Sequence, residues 1–374
     1  MGEGAPSAGV VRGTIAGMSP PITRRSWHAA VAGLALSGGA GPAISGSAGP
    51  DMSAPATRLP LLRPPRLKAG DTIGLFNPSK AVFERQPYGV AVESLQALGF
   101  KVREAPHLRA RHGRFAGTDE QRAADFNAFI ADPSIAGLLA MTGGSGANRI
   151  LPRLDYDAIR RTPKFIGGFS DVTALINAVH ARTGLVTFHC PMAESDWNAF
   201  SVEHFRGAVV DARAMTLRNV ADKGDGLVVR ENRIATVRGG QARGPLVGGN
   251  LAVLASLAGT PYFPPTEGAI LFLEEVNEYI FRVDRMLSTL KLCGALDRLA
   301  GVVIGAFTNC GPGEGFGEQT LDEVFDDYFL PLKVPVYRGA MIGHIRRKLT
   351  VPVGLPVEID ADAGTIRFLE PAVG

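Results

Sequence analysis

From about residue 60 onward, short apolar runs alternate with amphipathic stretches. "TIGLF" (Thr72–Phe76) is a compact apolar run that stops at Asn77-Pro78-Ser79, as a buried strand stops at a loop. "YGVAVESLQALGF" has apolar residues at helical spacing and closes on Gly99, which marks a helix C-terminus. "KVREAP" reads as a second strand. In "TDEQRAADFNAFIADP", Thr118 is the expected N-cap, Asp119 and Glu120 fall in the first turn, and Pro133 stops the helix. "IAGLLAMTGGSG" is a third strand running into glycines, "PKFIGGF" a fourth, "DVTALINAVHARTG" its helix, and "LVTFHCPM" a fifth strand. Strands and helices alternating at this spacing predict βαβ units and a parallel sheet. Such sheets keep ligands beyond the carboxyl ends of their strands, near a reversal of strand order. The Asn77-Pro78-Ser79 turn, the Gly143-Gly144 loop and Ser170 all fall at such ends, so they are expected to share one crevice.

Between Ala212 and Gly244 the pattern breaks into short strand-like pieces among charged and glycine-rich turns. This predicts a domain of residues 60–212, a linker at 213–243 and a second domain at 244–374. The second half carries "GPLVGGNLAVLASLAGTPYFP", "GAILFLEEVNEYIFRVDRMLSTLKLCGAL", "LAGVVIGAF" and "LPVEIDADAGTIRFLEP", the last a strand pair turning at "DADAG".

The first 55 residues differ in kind, being rich in Gly, Ala, Ser and Pro. Arg24-Arg25 precedes an apolar stretch, Ala29 to Leu36, that is too short to span a bilayer and is followed by small residues. A charged start, a short apolar core and a small-residue exit describe an export signal, and the paired arginines give it a twin-arginine character. The expectation is therefore an exported, periplasmic protein without a stable membrane anchor. If the segment is only a tail, the protein stays in the cytoplasm. The formal net charge of +3 is too near balance to indicate nucleic acid. Cys190, Cys293 and Cys310 are far apart and show no metal-ligand spacing, which predicts buried thiols or, alternatively, one disulfide pair. No phosphate-binding glycine motif and no metal cluster appears, so no cofactor is expected.

Ser170 sits on a tight turn between an apolar strand and a helix, and two readings compete. Its hydroxyl either caps the helix or is exposed as a nucleophile. A nucleophile needs a base within reach and an acid to orient it. His180 lies too far along the helix to serve Ser170. His344, in "GAMIGHIRRKLTVPVG", occupies a loop that suits a base reaching over a crevice, or is a surface histidine. Glu274 and Glu275 end the apolar run Ile270–Leu273. A carboxylate at a buried strand end is costly unless paired, and an imidazolium would offset that cost; alternatively both are solvated residues at a helix start. Backbone N–H groups of the Gly143-Gly144-Ser145 turn and of Asp171 are available to hold an oxyanion.

Four ordered stretches, "GGSGANRILPRLDYDAIRRTPKFIGGFSDVTAL", "GPLVGGNLAVLASLAGTPYFP", "LFLEEVNEYIFRVDRMLSTL" and "IGHIRRKLTVPVG", together resemble the LD-carboxypeptidase family of serine peptidases, which includes the microcin C immunity-type peptidases. The resemblance spans roughly Arg63 to Pro371. It implies a Ser-Glu-His triad of Ser170, Glu274 and His344, with oxyanion donors at the backbone N–H of Gly144 and Asp171. It implies a Rossmann-like amino-terminal domain with a smaller, β-rich α/β carboxy-terminal domain, and a homodimer. The implied reaction is hydrolysis of the amide before a terminal D-alanine in murein tetrapeptides. Phe169 stands where the family often has tyrosine, and Glu275 where aspartate is usual, which leaves open which glutamate orients His344. The substrate's free carboxylate calls for a cation; Arg346 and Arg347 are candidates unless they form only a solvated turn. Two alternatives remain. One is a related amidase acting on peptidyl or aminoacyl nucleotide conjugates, with Trp197 stacking on a base unless that ring is structural. The other is a non-catalytic periplasmic binding protein.

Overall fold

The apolar runs of the first half become the strands of a parallel sheet. The computed structural model describes residues 58–313 and 319–374, so the export signal read in residues 1–55 lies outside the described residues. Strands β1 (Thr72–Phe76), β2 (Lys101–Glu104), β3 (Gly137–Ala140), β4 (Phe165–Gly168) and β5 (Thr187–His189) pair in parallel in the order β5-β4-β3-β1-β2. The order reverses at β1, between β2 and β3. The carboxyl ends of β1 and β3 therefore part at the crevice where such sheets bind ligands. The helices between strands form where expected. Thr118 caps the Asp119–Ala131 helix in a reciprocal capping box with Gln121, and Gly99, at φ +96°, follows the end of the Gln86–Ala97 helix. Phe165 packs against Phe188, tilted, and against Phe205, edge to face, with ring centres 5.1 and 5.7 Å apart. Each buries enough apolar surface to contribute about 1.5–3 kcal/mol.

The second sheet is mixed. Its members are β6 (Thr216–Leu217), β7 (Ala235–Arg238), β8 (Gln241–Asn250), β9 (Ile270–Val276), β10 (Gly301–Thr308) and β11 (Val336–Arg338). After β12 (Val351–Val353) come β13 (Pro356–Asp360) and β14 (Thr365–Phe368), which form the expected hairpin through 361–364. The order is β6-β14-β13-β8-β9-β10-β11-β7, with β8 to β11 parallel. The fold is thus the expected α/β type, a parallel sheet beside a β-rich second sheet.

Two elements depart from the sequence reading. The segment 213–243, expected as a linker, supplies β6 and β7 as edge strands of the second sheet. They are short and pair only with β14 and β11, distant partners that leave no local periodicity. Strand β12 returns to the first sheet, antiparallel to β5, so the carboxy-terminal half closes the edge of the amino-terminal sheet; Pro352 is tolerated there because the strand is an edge. The cysteines also differ from expectation: all three are free thiols, but only Cys190 is buried, and Cys293 is exposed. Among the described residues no helix is long and apolar enough to cross a membrane.

Candidate active site

Ser170 follows β4 after Phe169, at the start of a short 3-10 turn (Ser170–Val172) that leads into the Thr173–Thr183 helix. Its φ is +62°, a left-handed conformation that side-chain-bearing residues rarely adopt and that costs about 1–3 kcal/mol. The Ser170 hydroxyl caps neither the turn nor the helix. Its Oγ instead lies 2.9 Å from His344 Nε2. The strained turn aims the hydroxyl away from the helix and across the crevice.

His344 sits in the loop before β12. The Thr308 hydroxyl donates to the His344 carbonyl at 3.2 Å and anchors that loop to β10. His344 Nδ1 is 2.7 Å from Glu274 Oε2. A carboxylate only accepts, so Nδ1 carries the proton and Nε2 is left as the acceptor for the Ser170 hydroxyl. Glu274, on β9, is completely buried, whereas the His344 side chain is one-fifth exposed. Consecutive strand residues point to opposite faces, so only one of the two glutamates can meet the imidazole. Glu275 is the other. Its carboxylate accepts from Asn250 Nδ2 at 2.9 Å and from the backbone N–H of Ala252 at 2.7 Å and of Val276 at 2.8 Å. It ties β9 to the start of the Leu251–Ser256 helix, and burial raises its pKa. The alternative that both glutamates are solvated gives way to two buried carboxylates with different partners.

The three strand-end turns meet as the topology predicts. The Ser79 hydroxyl donates to Asp171 Oδ2 at 2.7 Å, and the Ala147 backbone N–H donates to the same oxygen at 2.8 Å. The Lys80 N–H donates to the Gly143 carbonyl at 3.3 Å. Asp171 was singled out for its backbone N–H; its buried carboxylate, which fastens all three turns to the serine, was not anticipated. Gly144 is exposed at φ +117°, and its N–H meets no acceptor among the described residues.

The remaining candidates lie elsewhere. Arg346 Nε is 2.5 Å from Asp196 Oδ2, and an Arg347 guanidinium nitrogen is 2.6 Å from Asp222 Oδ2. Both line a cavity of about 570 Å³ with Asn198, Glu231, Asn232 and Ile345. Trp197 packs edge-on against Phe205, ring centres 5.1 Å apart, and its indole N–H donates to the Ala193 carbonyl at 3.4 Å. The ring is partly buried and packs against the core.

Two buried groups stand near the imidazole: Lys348, which the sequence reading passed over, and His189, whose place on the fifth strand put it near the crevice. Lys348, read as part of a basic turn, faces inward. Its Nζ stands 4.3 Å from the centre of the Phe169 ring, which in turn lies 5.0 Å from the His344 ring. Burial lowers the Lys348 pKa, while the Glu274 charge acts to raise it. His189 is fully buried with neither ring nitrogen bonded, and burial pulls its pKa down to about 4, so it is neutral near pH 7. An inward residue at a strand end was the only available signal for His189. Nothing in "IRRKLT" separates Lys348 from its exposed neighbours.

Family models of the LD-carboxypeptidase N-terminal and C-terminal domains match residues 73–190 and 243–359. The chain belongs to the LD-carboxypeptidase family. Members of this family are serine peptidases, and this chain is a hydrolase of that class, which sets aside the binding-protein reading. The LD-carboxypeptidase chain is 34% identical over 293 residues to a Bacillus subtilis protein named probable murein peptide carboxypeptidase, covering 78% of this chain and 89% of that one. It is 31% identical to the microcin C7 self-immunity protein MccF of Escherichia coli, covering 83% and 96%. Its fold matches MccF solved with glutamyl sulfamoyl guanosine at a TM-score of 0.75, 28% identity and coverage of 84% and 100%. It also matches the muramoyltetrapeptide carboxypeptidase of Oxalobacter formigenes at 0.68, 28% identity and coverage of 79% and 97%.

Proposed function

We propose that this carboxypeptidase cleaves the amide before a terminal D-alanine in murein tetrapeptides, through an acyl-enzyme on Ser170. The observation that carries the proposal is the continuous chain from Ser170 Oγ to His344 to the buried Glu274, at 2.9 and 2.7 Å, with the serine on a strained turn. His344 Nε2 takes the hydroxyl proton as Oγ attacks the scissile carbonyl. Glu274 stabilises the imidazolium that forms. The N–H groups of Gly144 and Asp171 receive the developing oxyanion. Collapse of the tetrahedral species breaks the C–N bond; His344 gives its proton to the departing D-alanine amine. A water molecule, deprotonated by the same imidazole, then releases the shortened peptide and restores Ser170.

A second reading, cleavage of aminoacyl nucleotide conjugates by the same residues, draws on the TM-score of 0.75 to MccF. The discriminating experiment supplies purified protein with a murein tetrapeptide and, separately, with an aminoacyl sulfamoyl nucleoside, each beside Ser170→Ala. Release of D-alanine by the wild type alone is the expected result. Cleavage of the nucleoside conjugate without D-alanine release would overturn the substrate assignment, and equal release by Ser170→Ala would overturn the nucleophile.

A further inference from the structure

A peptidase that removes a single C-terminal residue must recognise a free carboxylate close to the bond it cuts. One residue spans at most about 3.6 Å, so the recognising cation has to stand beside the oxyanion turn itself. Arg346 and Arg347 are already paired with the carboxylates of Asp196 and Asp222. Arg122, which donates to the Gly146 carbonyl, is paired with Asp119, but two cations beside the Gly143–Gly146 loop have no carboxylate partner among the described residues. Lys80 is exposed, and its ammonium meets no acceptor and no carboxylate among the described residues. Arg114 is also exposed; it donates to the Ser145 hydroxyl at 2.8 Å and is likewise without a carboxylate.

The position of Lys80 is built into the site. Its neighbour Ser79 is buried and donates to Asp171, its own N–H donates to Gly143, and its carbonyl accepts from Asn77 Nδ2 at 2.8 Å. The chain on either side pairs with the Arg114–Ala116 segment: Ala81 N–H donates to the Arg114 carbonyl at 2.8 Å and Ala116 N–H to the Ser79 carbonyl at 3.0 Å. The Lys80 stem lies against Gly144. A Cβ at residue 144 would come within 2.8 to 2.9 Å of Lys80 Cβ, Cγ and Cδ, so only glycine lets the stem run past this loop. The turn that fastens the nucleophile therefore also delivers an unpaired ammonium to the loop holding the Gly144 N–H.

We propose that Lys80 is the specificity residue that receives the substrate's terminal carboxylate, with Arg114 adding positive potential from across the same loop. This rests on the reading of Ser170 as nucleophile and Gly144 as oxyanion donor. The test compares a murein tetrapeptide ending in free D-alanine with the same peptide ending in D-alaninamide. Lys80→Met keeps the stem against Gly144 and removes the charge. It is expected to raise KM for the free acid by about 10- to 100-fold, to leave kcat within about threefold, and to leave the amide peptide unchanged; Lys80→Arg restores most of the affinity. An equal effect on both peptides, or none on either, overturns the proposal. Calorimetric binding of both peptides to Ser170→Ala and to Ser170→Ala/Lys80→Met needs no turnover. Preference for the acid should vanish in the double variant. A preference that persists there, or that is absent while Lys80 is intact, overturns the role of Lys80, whereas failure of the wild type to cleave either peptide counts against the reaction alone.

Discussion

Glu274→Gln isolates the electrostatic contribution of the buried carboxylate. The substitution keeps the size of the side chain and an oxygen able to accept from His344 Nδ1, but removes the charge that faces the imidazolium during reaction. With charge centres about 4 Å apart and the effective dielectric of about 20 suited to a partly buried pair, the lost attraction is about 4 kcal/mol. That corresponds to a fall of about a thousandfold in kcat. KM should change little, because the attraction to His344 is gained only when the imidazolium forms during reaction. Stability should respond weakly. The carboxylate is fully buried and its Oε1 has no hydrogen-bond partner among the described residues, so an amide exchanges one unsatisfied atom for another while relieving charge desolvation. Steady-state kinetics of D-alanine release, with a melting curve on the same sample, provide the assay. A folded Glu274→Gln protein within about fivefold of wild-type kcat would refute the reasoning.

Other predictions follow from the structure and, for the amino-terminal segment, from the sequence. Gly343→Ala combines a φ of +120° with a Cβ 2.6 to 2.8 Å from Glu274 Oε2 and Cβ, so it should displace the Glu274–His344 pair and reduce kcat at least tenfold, while Gly343→Ala protein still binds peptide; a fully active variant would contradict that packing. Asp171→Ala strands the buried Ser79 hydroxyl and the Ala147 N–H, and chemical denaturation should report a loss of about 2–4 kcal/mol; a loss below about 1 kcal/mol would contradict the fastening role. His180 and His189 are buried, with pKa values lowered to about 4, so the unfolded chain binds more protons between about pH 6.5 and 4 and stability should fall as pH drops through that window. Each contributes on the order of 3 kcal/mol to that loss; scanning calorimetry from pH 7 to 4 should show the decline, and His189→Gln should flatten it. Replacing Arg24 and Arg25 by lysine should keep the full chain in the cytoplasm on cell fractionation, whereas unchanged export would remove the twin-arginine reading.

What the sequence made legible was the part written locally. Alternation of apolar runs and helices exposed the parallel sheet, and the turns at the ends of β1, β3 and β4 pointed to one crevice before any contact was known. Ser170, Glu274 and His344 stood out because each breaks a pattern: a polar residue on a glycine turn, a carboxylate closing a buried strand, a histidine after glycine in a loop. Strand alternation requires one of Glu274 and Glu275 to face away without saying which; only the family resemblance pointed to Glu274 as the acid. Strands β6 and β12 were not legible, because their partners lie far along the chain, so only tertiary pairing makes them strands. Asp171, Lys80 and Lys348 each carry an ordinary surface or capping signature, and their surroundings are set by segments distant in sequence.

Covalent labelling tests the central claim most directly. A fluorophosphonate offers phosphorus to an activated serine and loses fluoride as the Oγ–P bond forms, so intact-mass measurement counts the adducts and peptide mapping locates them. The account predicts a single adduct on Ser170 in the wild type, labelling slowed by orders of magnitude in His344→Ala, and no adduct in Ser170→Ala. An adduct on another serine, or equal labelling of Ser170→Ala, would contradict it.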